Sequence, residues 1–227
     1  MTEAKPKTAL SVLGLSKSFG ELPVIEGLSF EVQKGERLLL LAACGAGKST
    51  LLKILAGLLK PDQGSHHYSE GVKPVILFQE PRLFSHLTVQ ENILLPLKAA
   101  GKPISKTAAG KMESWLAEVN LYRFKNAFPH ELSGGMKRKV SLLRALITEP
   151  NFLLLDEPFQ SLDPESKEKI INALLPQLKE LTILFTTHDI LEIPLLASSV
   201  LYFSSPNLAK PAKISAASFG KVFTKPL

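Results

Sequence analysis

The chain has 227 residues, 45% of them hydrophobic and 21% charged, enough apolar character to bury a core and too much for a disordered chain. A single cysteine, Cys44, excludes an internal disulfide and a cysteine-based zinc site, and no apolar run reaches the ~18–20 residues of a membrane-spanning helix. The net charge of +6 comes from scattered lysines and arginines with only 7% aromatic residues, which argues against the basic–aromatic interleaving of a single-strand binder, so no nucleic-acid partner is expected.

The opening residues, MTEAKPKTALSV, lack the charged-then-apolar layout of a signal peptide, and the expected location is the cytosol. Ala9–Leu15 reads as a strand, and Gly27–Val32 as a second, with Leu28, Phe30 and Val32 alternating with Ser29 and Glu31. KSFGELPVIEG reads as a turn-rich link between them. In it, Phe19 precedes Gly20 and is either a core residue or a ring that stacks on a purine.

Arg37–Leu41 reads as a strand whose unbroken apolar run, Leu38–Leu41, is the pattern of a strand covered on both faces. It feeds a turn of small residues, Ala42-Ala43-Cys44-Gly45-Ala46-Gly47, which ends in Lys48-Ser49-Thr50 and opens a helix with Leu51, Leu52, Ile54 and Leu55 on its inner side. Strand, small-residue loop and helix in that order make a phosphate cradle, with loop N–H groups pointing inward, a lysine for the β- and γ-phosphates and a hydroxyl for Mg²⁺. The usual pattern is G-x-x-x-x-G-K-[ST], and Ala42 stands where it has its first glycine. A positive φ there would cost alanine about 1 kcal/mol, whereas an extended backbone would make it harmless. Cys44 reads as a small residue filling the turn, or as a redox-sensitive one. Gly57 and Pro61 stop the helix.

PDQGSHHYSEGVKP reads as a turn-rich connection whose adjacent His66 and His67 point apart on a strand, which favours solvent-exposed histidines over a metal site. Val75–Phe78 is another buried strand, ending at Gln79, whose amide both donates and accepts. From about Leu87 to Leu146 the pattern turns helical. Thr88 and Glu91 have capping-box spacing, Lys111–Val119 reads as a helix containing Trp115, and GKPISKTAAG is a polar connector. Ser133-Gly134-Gly135 then precedes an amphipathic helix with Val140, Leu143 and Leu146 on one side; it is a second anion site or simply a capped helix start.

Phe152–Leu155 reads as a buried strand ending in Asp156-Glu157-Pro158, two carboxylates where ligands bind in open α/β sheets, one suited to a metal and the other to a general base. Asp163 is the expected N-cap and Pro164 the first residue of a helix with Ile170, Ile171, Leu174 and Leu178 inward, kinked or shortened at Pro176. Thr182–Thr187 is a strand ending at His188-Asp189, and Val200–Phe203 a last strand. The stretch from Ser204 to Leu227 carries four lysines and no acid and reads as a peripheral or mobile tail.

Taken in order, Phe19, the loop Ala42–Ser49, Gln79, the run Leu132–Met136, Leu155–Glu157, Ser161–Asp163 and His188 resemble the adenine-stacking residue, Walker A, Q-loop, signature, Walker B, D-loop and switch histidine of the ATP-binding subunits of ATP-binding cassette (ABC) transporters, over almost the whole chain. The resemblance implies an α/β P-loop NTPase fold with a mostly parallel core sheet, an N-terminal antiparallel β subdomain and an inserted helical subdomain. It implies a single nucleotide-binding domain over residues 1–227, the helical insertion at about 85–148 and the basic tail at about 204–227.

The resemblance further implies an ATPase that binds ATP and Mg²⁺ between two copies paired head to tail. Lys48 and the loop from Ala42 to Thr50 would hold the phosphates, Ser49, Gln79 and Asp156 would organise Mg²⁺, and Glu157 would polarise the attacking water. Ser133, Gly134 and Gly135 of the other copy would clasp the γ-phosphate, His188 would contact it, and Asp163 would couple the two sites. Met136 replaces the commonest fifth signature residue, glutamine, with little loss expected, since the clasp uses the serine and backbone amides.

The implied partners are a second ATP-binding subunit, transmembrane permease subunits and, indirectly, a solute-binding protein, at the cytoplasmic face of the membrane. FQEPRLFSHLTVQENI, SGGMKRKVSLLRAL, LDEPFQSLD and THDILEI are most similar to the nitrate/sulfonate/taurine group of importers, so a small anionic or nitrogen- or sulfur-containing solute is implied. Leu83 and Phe84 would form a groove for a permease helix, or belong to the core. The alternatives are a soluble ATPase of the same superfamily uncoupled from transport, and a nucleotide-binding module whose hydrolysis is slowed at Ala42.

Overall fold

The computed structural model describes residues 7–101, 103–179, 181–204 and 207–222. It divides the chain into two compact units, one from Met1–Ile76, Asn151–Asp156 and Glu180–Leu227, the other from Leu77–Pro150 and Glu157–Lys179.

The first unit is built on two sheets. Strands β1 (Thr8–Phe19), β2 (Leu22–Gln33) and β4 (Gln63–Tyr68) form an antiparallel sheet in the order β2-β1-β4. The larger sheet has the order β5-β6-β7-β3-β8-β9, with β5 at Pro74–Leu77, β6 at Phe152–Asp156, β7 at Thr182–Thr186, β3 at Arg37–Leu41, β8 at Ser199–Tyr202 and β9 at Ala212–Ser215. Neighbours β6/β7, β7/β3 and β3/β8 are parallel, while β8/β9 is antiparallel. Every residue of β6 and β7 is buried, as the unbroken apolar runs require of strands covered on both faces. Helix α1 (Lys48–Leu55) packs Leu51, Leu52, Ile54 and Leu55 into the core shared with Leu38, Leu40, Phe152 and Leu154. Gly57 ends it at φ +73, with the Leu58 N–H donating to the Lys53 carbonyl at 2.9 Å.

Three segments of this unit depart from the sequence reading. The link between the first two strands is itself strand, because β1 and β2 continue to Phe19 and from Leu22 and turn over Gly20-Glu21. PDQGSHHYSEGVKP contains β4, an edge strand whose residues are exposed or half-buried and so show no apolar alternation. Gly64 permits its approach: at φ +77, a Cβ there would lie 2.4 Å from the Gly14 carbonyl group.

The third departure is the tail, which is not peripheral over residues 207–222. Strand β9 extends the large sheet, Leu208 is fully buried beside Ile25, and a C-terminal helix (Ala216–Val222) buries Phe219. Residues 205–206 and 223–227 lie outside the described residues.

The second unit is helical: α2 (Val89–Ala99), α3 (Lys106–Glu118), α4 (Gly134–Leu146) and α5 (Pro164–Lys179). Trp115, Leu116, Ile93, Val140, Leu143 and Leu146 are buried. The Thr88 capping box forms, the Glu91 carboxylate accepting from the Thr88 N–H at 2.8 Å while the Thr88 hydroxyl accepts from the Glu91 N–H. Helix α3 begins at Lys106, earlier than the polar connector implied, because the Ser105 hydroxyl caps the Ala108 N–H at 3.0 Å. Asp163 caps α5, accepting from the Ser166 N–H at 2.8 Å, and α5 runs past Pro176 to Lys179, so the proline does not shorten it. The Leu174 side chain lies outside the described residues. Among the described residues no helix is long and apolar enough to cross a membrane.

Candidate nucleotide site

In the first unit, three neighbouring parallel strands deliver their carboxyl ends to one edge of the sheet. After β3 comes the loop Ala42–Gly47, β6 ends at Asp156, and His188 follows two residues beyond β7. An open α/β sheet binds its ligands at such an edge.

The loop's conformation is set by its glycines. Gly45 and Gly47 have φ of +77 and +96, whereas Ala42 is not among the residues at positive φ. Its methyl group therefore carries no backbone strain, and it packs against the core. A Cβ on Gly47 would stand 2.3 Å from Val24 Cγ1, so this position excludes a side chain sterically as well as conformationally. Ala43, Cys44 and Gly45 are exposed, and Ser49 and Thr50 half-buried. Lys48, 7% exposed, folds back so that Nζ donates to the Ala42 and Ala43 carbonyls at 2.9 Å each. The lysine thus carries its charge inside the loop that the first turn of α1 extends, where N–H groups favour an anion.

Asp156 is 7% exposed and pairs in register with Thr186, whose hydroxyl donates to Asp156 Oδ1 at 2.9 Å. The bond orients the carboxylate. Asp156 and Ser49 supply hard oxygen donors of the kind Mg²⁺ takes. His188 is exposed, and the turn after it is tied by the Thr187 hydroxyl accepting from the Asp189 N–H at 3.0 Å. Phe19 is 51% exposed at the end of β1, with Lys17 Nζ 5.7 Å from its ring centroid, which decides against a core residue and leaves the ring accessible.

The second unit brings together Gln79 and Glu157. Gln79 Nε2 donates to Glu157 Oε2 at 3.4 Å and to Gln160 Oε1 at 3.3 Å. Glu157 has φ +47 and Ser161 φ +66, backbone conformations uncommon outside glycine and concentrated at functional sites. Ser133 caps α4, its hydroxyl accepting from the Met136 N–H at 3.3 Å, and Gly134 has open space around it. A Cβ on Gly135 would lie 3.2 Å from Leu162 and 3.3 Å from the Ser161 carbonyl, so the Ser133–Gly135 and Ser161–Asp163 segments touch. The cap bond to Ser166 holds the Asp163 carboxyl below the usual carboxylate range.

Two residues of this unit escape a reading by motif. Asn92, fully buried, accepts from the Phe84 N–H at 2.9 Å and donates to the Phe84, Leu87 and Thr88 carbonyls, fixing the loop that leaves Phe84 48% exposed and Leu83 half-buried. Arg138, 2% exposed, donates to four backbone carbonyls, those of Phe78, Gln79, Glu157 and Pro158. Its sequence signal is a charge on the inner face of α4, three and four residues before the buried Ser141 and Leu142.

Comparison with known proteins adds four findings. The sequence profile described as ABC transporter matches residues 25–160. The chain is 38% identical over 207 residues to an aliphatic sulfonates import ATP-binding protein, SsuB, of Bacillus cereus, covering 88% of this chain and 79% of that protein. It is 37% identical over 191 residues to the spermidine/putrescine import ATP-binding protein PotA of Chromobacterium violaceum, covering 79% and 53%. Among solved structures, the dimeric post-hydrolysis state of the ATP-binding cassette MJ0796 bound to ADP and Pi matches with a TM-score of 0.77 at 27% identity, covering 90% of this chain and 98% of that one.

Proposed function

The chain belongs to the ABC transporter family of ATPases, and from that premise we propose that it is the ATP-hydrolysing subunit of an importer for a small anionic or nitrogen- or sulfur-containing solute. The observation that carries the hydrolytic reading is the sheet edge where the Ala42–Gly47 loop, Asp156 and His188 emerge from neighbouring parallel strands.

In this reading Lys48 and the loop N–H groups hold the phosphates, with Thr50 following at the start of α1, and Phe19 stacks on the adenine. Ser49, Gln79 and Asp156 hold Mg²⁺, which supplies charge neutralisation at the phosphates when bound. Glu157 orients and deprotonates the attacking water, and His188 contacts the γ-phosphate. The second copy contributes Ser133, Gly134 and Gly135, so ATP lies between the phosphate loop of one copy and the α4 start of the other, and Asp163 couples the two sites. The oriented carboxylate of Asp156, the accessible Phe19 ring and the open space around Gly134 support these roles. Single-domain organisation of the whole chain, permease subunits docking at Leu83 and Phe84, a solute-binding protein upstream and a place on the cytoplasmic face of the membrane complete the reading.

The cargo assignment draws on the SsuB likeness, since the ATPase residues themselves carry no cargo chemistry. Glu157→Gln tests the mechanism. The variant is expected to bind ATP, lose hydrolysis by about 10²-fold or more, and run as a dimer in ATP on size-exclusion chromatography. A variant that stays monomeric and still turns over would sink the composite site.

A further inference from the structure

Arginine on the inner face of a helix must satisfy a charge and a planar set of five N–H donors. Arg138 does so on backbone carbonyls from two segments distant in sequence. Nε donates to the Pro158 carbonyl at 2.8 Å, Nη2 to that of Glu157, and Nη1 to those of Phe78 and, at 2.9 Å, Gln79. The segments are those that carry the Gln79 and Glu157 side chains. Glu157 holds φ +47, a conformation a non-glycine residue keeps only when its surroundings over-determine it. The third body in the contact is α4 itself, whose start bears Ser133, Gly134 and Gly135, five to three residues before Arg138.

We propose that Arg138 is a positioning residue for hydrolysis, whose guanidinium rigidly couples the signature helix α4 to the backbone of Gln79 and Glu157. The inference rests on the nucleotide reading above and deepens it. When the start of α4 engages a phosphate, the planar fork carries that displacement to both carbonyls, and with them to the amide and carboxylate that face each other at 3.4 Å. Arg138 acts through these carbonyls, so its effect falls on turnover of bound ATP rather than on ATP capture. Lysine keeps the charge but offers three donors on one atom at the end of a flexible stem, so it does not reproduce a fork spread over four carbonyls.

The test compares the full chain with Arg138→Lys and Arg138→Gln in steady-state ATP hydrolysis, alongside thermal melting. The expected result for folded variants is a kcat about tenfold lower or more with KM for ATP within about threefold of wild type. A folded variant whose kcat stays within about twofold of wild type, or whose loss falls on KM alone, overturns the proposal. If neither variant folds, hydrogen exchange on the wild-type chain decides. Segments 78–80, 134–140 and 157–160 gaining protection together on adding ATP and Mg²⁺ supports coupling, and protection confined to 134–140 overturns it. A wild-type chain that hydrolyses ATP while Arg138→Lys matches it sinks only this proposal. A wild-type chain that neither binds nor hydrolyses ATP sinks the nucleotide reading as well.

Discussion

Alanine at position 42 and glycine at position 47 illustrate how much one φ angle decides. The sequence marks Ala42 as the irregular letter of the phosphate loop, yet positive φ falls on Gly45 and Gly47, so the methyl group costs nothing there. Ala42→Gly is expected to leave turnover within about twofold and to lower stability by about 0.4–1 kcal/mol, because glycine adds freedom to the unfolded chain. A tenfold rise in turnover would show that the methyl group impairs the loop. Gly47→Ala meets two penalties, left-handed strain of about 1–2 kcal/mol and a methyl group 2.3 Å from Val24 Cγ1. It should weaken ATP binding by about tenfold or more in a fluorescent-nucleotide titration. Val24→Ala in the same chain should recover only the steric part, since the backbone strain and the Val24 carbonyl, 3.2 Å from the added carbon, remain.

Among the secondary-structure elements, the strands and helices with strong periodic patterns were legible, as was the half-buried edge strand β5, whereas two mostly exposed edge strands were not. β3, β6 and β7 announced themselves as continuous apolar runs, and the capped starts of α2, α4 and α5 were readable from Thr88, Ser133 and Asp163. β4 and β9 escaped, because a strand with few buried residues depends on its partner's backbone rather than on its own side chains. The C-terminal segment is more than an edge. The Leu208 N–H donates to the Val24 carbonyl at 3.2 Å, and the side chain of that same Val24 lies against Gly47, so the segment braces β2 behind the phosphate loop. Leu208→Ala, at a fully buried position, should cost about 2–5 kcal/mol in denaturant unfolding. A loss below about 0.5 kcal/mol would mean the segment does not brace the fold.

For the molecule as a whole, pH sets limits on stability from both sides. Hydrogen bonds to Lys17 and Ser18, Thr88 and Ser166 hold the Asp62, Glu91 and Asp163 carboxyls below their usual range. Their stabilising contribution is present above the unfolded-state values and is lost as pH falls through the lower folded ones. Burial pushes the Tyr68 hydroxyl, which donates to the Leu55 carbonyl at 3.0 Å, above the ordinary tyrosine range. Its contribution is present below the unfolded value and is lost as pH rises beyond it. Burial also holds the His66 imidazole below its usual range, so a melting profile should begin to fall as pH drops through the ordinary histidine range, fall further below the ordinary carboxylate range, and fall above the ordinary tyrosine range. Thr88→Ala should shallow the acid limb, and Tyr68→Phe the alkaline one. Limbs unchanged by these substitutions would assign the pH dependence to other groups.

Local runs of letters were enough for the strand–loop–helix around Lys48, the family, and the residue types at Asp156, Glu157, Ser133 and His188, because a short stretch sets a turn, a cap or a strand end. The folded chain was needed to learn that Ala42 is unstrained, that residues 207–222 rejoin the sheet, and that Arg138 spans the carbonyls of Gln79 and Glu157. The reason is that backbone acceptors carry no sequence signature. Every residue has a carbonyl, and only the fold specifies which of them a buried guanidinium or an edge strand will meet.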